Sequence, residues 1–301
     1  MQVTPDLILG SLIGVIGAAL YSFSVVIYRS QADEIRPVAI SAIKMWVALP
    51  FMTVMTLLLP GLASAFLPMT TILLLGTSVI LGAVIGDTVY LWSQERIGVS
   101  VAFPIAMSFP IITFFMAVAF LSEPLNLSRL AGAGIAVVGV IMISHEQNRQ
   151  QNEHEVLNKY DILGLLGSIA TAFLYAIGTI VLQVGIEGVD PIGGNLVRMI
   201  VGSIAFVPMV IVARTKGMSY PTRRATKLVI IAGFCGMAVG SLFYVAAVAM
   251  IGATIMSVIA SSAPLFAVPV SVLFLKEKVT LLSGIGILAT IIGVTLVVLG
   301  I

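Results

Sequence analysis

Ten apolar runs of about twenty residues dominate the chain, and the short segments between them hold most of the charged residues. The hydrocarbon core of a bilayer is about 30 Å thick, which an α-helix crosses with roughly 20 apolar residues. Each run is therefore a predicted transmembrane helix. The predicted spans cover residues 7–28, 37–59, 70–94, 98–121, 129–144, 161–184, 191–213, 227–250, 253–275 and 281–300.

The overall composition points to the same class of protein. Charged residues make up 9% of the chain and hydrophobic residues 59%, whereas soluble domains carry about 25% charged residues. Cys235 is the single cysteine, so an internal disulfide is excluded. The net charge of +2 gives no reason to expect a nucleic-acid partner. The predicted fold class is an all-α integral membrane protein, with the lipid bilayer around it.

The two halves of the chain repeat each other at a constant offset of 154 residues. The matched positions include Tyr21 with Tyr175, Lys44 with Arg198, Gly82 and Gly86 with Gly236 and Gly240, Tyr90 with Tyr244, and Ser108 and Pro110 with Ser262 and Pro264. The repeat predicts a five-helix unit over residues 1–147, a polar linker over 148–159 and a second five-helix unit over 160–301.

Because each unit has an odd number of spans, the second unit enters the membrane from the opposite side. Inverted repeats of this kind are typical of secondary transporters, whose binding site lies near the bilayer midplane between the repeats. If the two units exchange slightly different conformations, an outward-open cavity becomes an inward-open one. The architecture thus predicts alternating access.

Each half has a tyrosine in its first helix, and within the stretches 97–123 and 251–277 it has a proline in its fourth helix and a glutamate just after that helix. This pattern, over nearly the whole chain, resembles the drug/metabolite transporter superfamily, and most closely its ten-helix EamA-type members, which include an amino-acid exporter. The resemblance implies a small-molecule exporter, often of amino acids or related metabolites. It also implies a cavity lined by helices one, three, four, six, eight and nine.

Three ionisable side chains lie clearly inside predicted spans: Lys44, Asp87 and Arg198. A charge at the helix centre costs about 2.5–3.5 kcal/mol on insertion scales, so each needs a partner, water or a route to the interface. At 1.5 Å per residue, Lys44 lies about 10 Å from Pro37, and Asp87 about 12 Å from Glu95 on the same membrane side. Lys44 and Asp87 are therefore predicted to pair. Asp87, the one carboxylate well inside the spans, is equally a candidate for proton coupling.

Arg198 repeats the position of Lys44, but the counterpart of Asp87 in the second half is Ser241. Arg198 therefore has no acidic partner inside the predicted spans. Two interpretations are open at this point. The side chain either snorkels to the lipid headgroups, or it holds an anionic group, such as a substrate carboxylate, in bidentate geometry.

Four tyrosines form two symmetry-related pairs, Tyr21 with Tyr175 and Tyr90 with Tyr244. A buried tyrosine offers an aromatic face and a hydroxyl that needs a partner, which suits amphipathic ligands, although tyrosines also gather at membrane interfaces. Asp87 and Tyr90 are three residues apart and so share one face of a helix. Together they form the strongest binding prediction on a single helix.

Prolines interrupt the fourth span at Pro104 and Pro110, and the ninth at Pro264 and Pro269. Proline removes an internal hydrogen bond, so both helices are predicted to be kinked or broken, with carbonyls free for a serine hydroxyl, water or substrate. Kinks at matching positions of an inverted repeat favour a cavity wall. The complete predicted substrate-binding set is Tyr21, Asp87, Tyr90, Pro104, Ser108, Tyr175, Arg198, Ser241, Tyr244, Ser262 and Pro264.

Polar residues outside the spans are predicted to serve the helix ends. Glu123 and Glu277 stand before the last helix of each half, where they cap that helix or pair with a neighbouring basic residue. His145 and His154 fall in the polar segment 145–159, so no metal site is predicted within the membrane. The chain has no GxxxxGKS or GxxxxGKT loop for ATP. No cofactor and no catalytic residue is predicted.

The predicted function is a secondary-active exporter of small amphipathic or zwitterionic metabolites, such as amino acids. Its predicted partners are the small-molecule substrate and, if transport is coupled, protons; ten helices can enclose a cavity, so a monomer suffices. The alternatives are a carrier of drugs, quaternary amines or other metabolites in the same superfamily, and an intramembrane lipid-modifying enzyme. A channel is a third class, which would show a continuous polar lining.

The distribution of basic residues predicts the orientation in the cell (inner) membrane. Loops after odd-numbered spans hold Arg29, Arg36, Arg96, Arg149, Lys159, Arg214, Lys216, Arg223, Arg224, Lys227, Lys276 and Lys278. The opposite side has only Arg129. Because loops rich in lysine and arginine stay in the cytoplasm, both termini are predicted to be external, opposite to the usual arrangement in the family that the chain resembles.

Overall fold

The computed structural model describes residues 4–31, 34–151, 161–266, 268–269 and 280–300, and these are almost entirely helical, with no strand among them. The helices of the first half are α1 (Pro5–Ser30), α2 (Pro37–Leu58), α3 (Met69–Ile97), α4 (Val99–Ala106 and Phe109–Phe120) and α5 (Leu127–Gln151). Each predicted span of this half is present as an apolar helix, in the predicted order.

The second half begins with α6 (Ile162–Ile186) and α7 (Pro191–Thr215). Helix α8 starts at Arg223 and continues into the segment Ser241–Ser261, in which the backbone turns at Gly252. The helical residues after this turn, 253–261 and 263–266, are named α9. The predicted ninth span is thus described as far as Pro269, and α10 (Leu281–Leu299) completes the described chain.

Single glycines, rather than loops, join two pairs of consecutive spans. Gly98 (φ 76°, ψ 159°) separates α3 from α4, and Gly252 (φ 78°, ψ 169°) separates α8 from α9. This region of backbone conformation is open essentially to glycine alone. The two glycines are 154 residues apart, so the duplicated sequence places the same sharp turn in both halves.

Helices α3 and α8 each contain one π-helical segment, at Ile80–Gly86 and Phe234–Gly240. These segments are also related by the 154-residue offset, and each is followed directly by a polar residue, Asp87 or Ser241. An extra residue per turn widens the helix, and such segments are frequent at functional sites. The apolar pattern of the sequence did not reveal them.

The predicted breaks at the prolines are present. Helix α4 is interrupted at Met107 and Ser108, and α9 at Ser262. The serines bond to their own helices: Ser108 Oγ donates to the Ile105 carbonyl (2.7 Å) and Ser262 Oγ to the Ile259 carbonyl (2.6 Å). The hydroxyls therefore satisfy backbone groups at the breaks.

One helix extends beyond its predicted span, and one expectation about a helix end needs correction. Helix α5 continues to Gln151, so the first residues of the predicted linker 148–159 are helical; a helix satisfies its own backbone and can extend beyond the bilayer. The start of α5 is capped by Asn126, whose Oδ1 accepts from the Ser128 and Arg129 amides. Glu123 instead accepts a hydrogen bond from Thr254 Oγ1 (2.9 Å). Glu277 and His154 lie outside the described residues.

The two halves pack against each other with the symmetry of the repeat. Helix α1 packs along α8, and α6 packs along α3, while α5 packs against α10. At the α5–α10 contact, a Cβ added to Gly132, Gly139, Gly286 or Gly293 would lie 2.5–2.8 Å from a carbonyl oxygen of the facing helix. Only glycine permits this approach, which agrees with the packing role of small residues in membrane helices.

An ion pair ties the end of α3 to Asp161, which lies just before the first residue of the apolar helix α6. Arg96 Nη2 lies 2.7 Å from Asp161 Oδ2, and Asp161 Oδ1 accepts from the amides of Leu163 and Gly164. Desolvation acts to raise the pKa of Asp161, but the hydrogen bonds from Gly164, Arg96 and Leu163 outweigh it and lower the pKa. Asp161 therefore stays ionised as the cap of α6.

Candidate functional site

A cavity of about 160 Å³ lies between the two halves. Its walls come from α1, α3, α4, α6, α8 and α9, the set of helices implied by the family resemblance, and α7 contributes Arg198. The lining residues that the sequence predicted are Tyr21, Asp87, Tyr175, Arg198, Ser241 and Tyr244. Helices of both repeats thus enclose one cavity, which is lined by charged, aromatic and small residues.

Asp87 forms one polar end of this cavity. Its Oδ2 accepts a hydrogen bond from Lys44 Nζ, and its Oδ1 accepts one from Tyr175 Oη (2.7 Å). Lys44 also lies 5.9 Å from the centroid of the Tyr28 ring. Lys44 and Asp87 are 5% and 9% exposed. The structure therefore brings the two charges together inside the protein.

Arg198 forms the other polar end. Its Nε donates to Ser78 Oγ (3.1 Å) and its Nη1 to Asn195 Oδ1 (3.3 Å). The Asn195 amide nitrogen in turn donates to Ser241 Oγ (2.9 Å). Arg198 is only 7% exposed and lines the cavity, so the snorkelling interpretation is wrong. The neighbouring serine and asparagine hold the guanidinium inside the protein.

Among the residues that the structure describes, Arg198 has no acidic counterpart. Across the part of the chain that the structure describes, ion pairs within 4 Å join Lys44 to Asp87 and Arg96 to Asp161, and none includes Arg198. The two ends of the cavity therefore differ electrostatically. One end is the Lys44–Asp87 ion pair, and the other is the Arg198 guanidinium, whose described partners are neutral.

Tyrosines line the wall between the two ends. Tyr244 Oη lies 2.7 Å from Thr179 Oγ1, and the ring of Tyr175 packs edge-on against Phe109 with centroids 5.7 Å apart. Tyr21 borders the cavity from α1. These rings supply apolar surface with hydroxyls at their tips, which suits a small ligand with both apolar and polar parts.

The other predicted residues lie away from this lining. Pro104, Ser108, Ser262 and Pro264 are at or beside the helix breaks but do not border the cavity, because the breaks direct Met107 and Phe109 towards it instead. Tyr90 is 4% exposed and packs edge-on against Phe103, with ring centroids 6.2 Å apart. It borders a second, smaller cavity.

This second cavity, of about 40 Å³, reaches from the ion pair towards the end of α3. Lys44 and Tyr90 line it, and Gln94 and Glu95 stand at its outer end. Asp87 and Tyr21 line both cavities. Asp87 therefore stands between the central space and the membrane side on which α3 ends.

Three residues of the site were missing from the sequence prediction: Ser78, Thr179 and Asn195. Each is buried, and each hydrogen-bonds a predicted residue. Asn195 had a visible signal, because it is an amide within an apolar span, three residues before Arg198 and so on the same face. Serine and threonine give no such signal, since they commonly bond to their own helix.

Among the described residues, no group of three or more His, Cys, Asp and Glu side chains is placed to hold a metal ion.

Comparison with known families identifies the chain. The model of the EamA-like transporter family matches twice, at residues 8–145 and 162–299. The chain belongs to the EamA-like transporter family. It is therefore a multi-pass membrane transporter of the drug/metabolite type, built from two EamA-like units, and the family points away from an enzyme.

The fold of this EamA-like transporter is also found in a crystal structure described only as that of a protein. The two chains superpose with a TM-score of 0.76 at 15% sequence identity, over 96% of this chain and 97% of the other. At that identity the likeness concerns the fold alone. Comparison with curated protein sequences gave no match.

Proposed function

We propose that this EamA-like transporter is a secondary-active exporter of small amphipathic or zwitterionic metabolites, amino acids or related compounds, that works by alternating access. The observation that supports this most strongly is the cavity at the interface of the two repeats, with a polar group at each end and aromatic walls between them. Transporters built from inverted repeats bind their substrates at this place.

The duplicated backbone features supply the elements that alternating access needs. The glycine turns, the π-helical segments and the breaks in α4 and α9 all occur at equivalent positions of the two halves. Hinges are commonly a few residues at the ends of helices. In the proposed mechanism the two halves exchange conformations at these points and expose the cavity to either side.

Asp87 is the proposed carrier of a coupling proton. It borders both cavities, and its present partners are Lys44 and Tyr175. A proton that reaches Asp87 neutralises its carboxylate and releases Lys44, which changes the charge at one end of the central cavity. This proposal depends on the geometry of Asp87 and extends the transporter function to proton coupling.

A carrier of quaternary amines is the second candidate. Aromatic rings attract such cations, and three tyrosines line the cavity. The charges favour the first candidate, because Lys44 already neutralises Asp87 while Arg198 repels a cation.

We further propose that the protein lies in the cell inner membrane, with the loops after odd-numbered helices in the cytoplasm. The basis is the twelve basic residues assigned to that side.

Counterflow in proteoliposomes tests the function. A thermal-shift screen of the purified protein with amino acids, quaternary amines and nucleotide precursors first selects a ligand. Vesicles loaded with the unlabelled ligand should then accumulate the labelled ligand, as a carrier does. An enzyme would change the chemical identity of the label, and a channel would show no trans-stimulation; either result contradicts the proposal.

Two variants in the same π-helical segment provide a matched control. Ala83 lines the cavity, whereas Ile85 is 40% exposed on the outside of the described protein. Ala83→Phe should fill the cavity and stop counterflow, and Ile85→Phe should leave it near the wild-type rate. Equal counterflow in both variants would place the substrate elsewhere.

A further inference from the structure

The central cavity carries an unbalanced positive charge. Asp87 is the one acidic residue and Arg198 the one basic residue in its lining. Asp87 is already neutralised by Lys44, which approaches from α2. Arg198 donates to a serine hydroxyl and an asparagine carbonyl, both neutral. The cavity and its immediate ion pair therefore have a net charge of about +1 before a ligand enters.

The guanidinium of Arg198 is held in a fixed orientation with donors to spare. Hydrogen bonds to Ser78 and Asn195 use Nε and one N–H of Nη1. Nη2 donates to no atom of the described residues, although the side chain is 93% buried and lines the cavity. This donor is therefore open to the cavity, where a ligand can accept a hydrogen bond from it.

The inverted repeat indicates where a partner belongs. In the first half Asp87 places a carboxylate beside Lys44, but the equivalent residue of the second half is the neutral Ser241. Ser241 is linked to Arg198 through Asn195. The second half therefore has the cation of the pair and lacks its carboxylate.

We propose that this position is completed by the carboxylate of the transported molecule, so that the substrate class is small apolar monocarboxylates, with or without an amino group. The proposal rests on the proposed transport function and adds the feature of the substrate that the site recognises. Arginine binds carboxylates with two parallel hydrogen bonds. The amino group is dispensable, because Asp87, the one carboxylate of the lining, is already bonded to Lys44 and Tyr175.

A series of three probes with one common ring tests this inference. The probes are L-phenylalanine, 3-phenylpropionate, which lacks the amine, and phenethylamine, which lacks the carboxylate. Their binding to the purified full-length protein in nanodiscs is measured by calorimetry. Both carboxylates should bind at least about tenfold more tightly than phenethylamine, the usual scale for a hydrogen-bonded charged group. Phenethylamine binding as tightly as 3-phenylpropionate, or no binding by any probe, would overturn the proposal.

Ser241 provides the sharpest variant. Ser241→Asp copies the position of Asp87 into the second half and supplies Arg198 with an internal carboxylate, so the preference for 3-phenylpropionate over phenethylamine should fall by at least about tenfold. Ser241→Asn adds a similar volume without charge and should keep the preference, whatever its absolute affinity. A thermal melt of both variants checks that each is folded. An unchanged preference in folded Ser241→Asp would overturn the proposal.

Arg198 variants separate recognition from structure. Arg198→Gln removes the charge and Arg198→Lys keeps it, so the preference for carboxylate should vanish in the first and persist in the second. A purely structural role would lower stability in Arg198→Gln without changing the ratio of the two affinities, which contradicts the proposal. If the carboxylates bind to the wild type but are not exchanged across proteoliposomes, the Arg198 site stands and the proposed transport function fails.

Discussion

Asp87 of α3 and Ser241 of α8 occupy equivalent positions of the two repeats, each directly after a π-helical segment, and only Asp87 is charged. The two halves thus share the same backbone features at these positions, but their side chains differ in charge. Asp87 is paired with Lys44, while the Arg198 side of the cavity has neutral partners. This difference gives a symmetric framework two unlike ends, which an amphipathic substrate can tell apart.

The first prediction concerns the stability of the buried ion pair. If the Lys44–Asp87 pair is purely structural, Asp87→Asn should lower the free energy of unfolding by about 3–5 kcal/mol, because it leaves Lys44 buried without a counter-charge. The double variant Lys44→Met, Asp87→Asn should recover much of this loss, since no lone charge is then buried. Thermal unfolding in one detergent compares the variants. A double variant no more stable than Asp87→Asn would show that the pair does not act as a unit.

The second prediction concerns proton coupling at the same residue. If Asp87 carries the proton, Asp87→Asn should fold normally, lose transport driven by a pH gradient and retain exchange at equal pH. Proteoliposomes with and without the gradient measure the two activities. A variant with normal stability and normal pH-driven transport would rule out both the structural and the coupling role.

The third prediction separates Tyr244 from Tyr90. Tyr244 lines the central cavity, whereas Tyr90 is packed against Phe103 beside the second cavity. Tyr244→Ala should weaken ligand binding by about tenfold with near-normal yield. Tyr90→Ala should instead lower stability by about 3–5 kcal/mol, as other buried aromatic truncations do. Calorimetry and thermal melts measure the two effects, and unchanged affinity in Tyr244→Ala would contradict the cavity site.

The fourth prediction concerns orientation in the membrane. Tyr220, between α7 and α8, and Phe66, between α2 and α3, are each 85% exposed and lie on opposite sides. In a Cys235→Ala background, Phe66→Cys should react with an impermeant thiol reagent in intact cells. Tyr220→Cys should react only after permeabilisation. The reverse pattern would place both termini in the cytoplasm.

The fifth prediction concerns the turn at Gly252. Its positive φ and extended ψ are strained for any residue with a Cβ, so Gly252→Ala should cost roughly 1–3 kcal/mol of stability. Gly284 is the control, because it lies in ordinary helix and a Cβ there meets nothing within 4 Å. Gly284→Ala should leave the melting temperature unchanged or raise it. Similar melting temperatures for the two variants would show that the turn is not strained.

The helices and their inverted duplication are already determined by the sequence. A bilayer requires long apolar runs and rejects unsatisfied backbone groups, so hydropathy alone specifies each predicted span. Constant spacing between Tyr21 and Tyr175, and between Lys44 and Arg198, reveals the duplication. Depth along the helices was also enough to bring Lys44 and Asp87 to the same level, because the rise of a helix is constant.

Only the tertiary structure decided which faces of those helices meet. The rotation of each helix about its axis depends on packing with its neighbours, and in a uniformly apolar span the sequence carries little periodic signal for it. Packing therefore placed Tyr244 on the central cavity and Tyr90 beside another. Packing also buried Arg198 against Ser78 and Asn195, which accept its hydrogen bonds. The sequence alone allowed this side chain to reach the lipid headgroups instead, because it does not show which neighbouring helices supply hydrogen-bond partners.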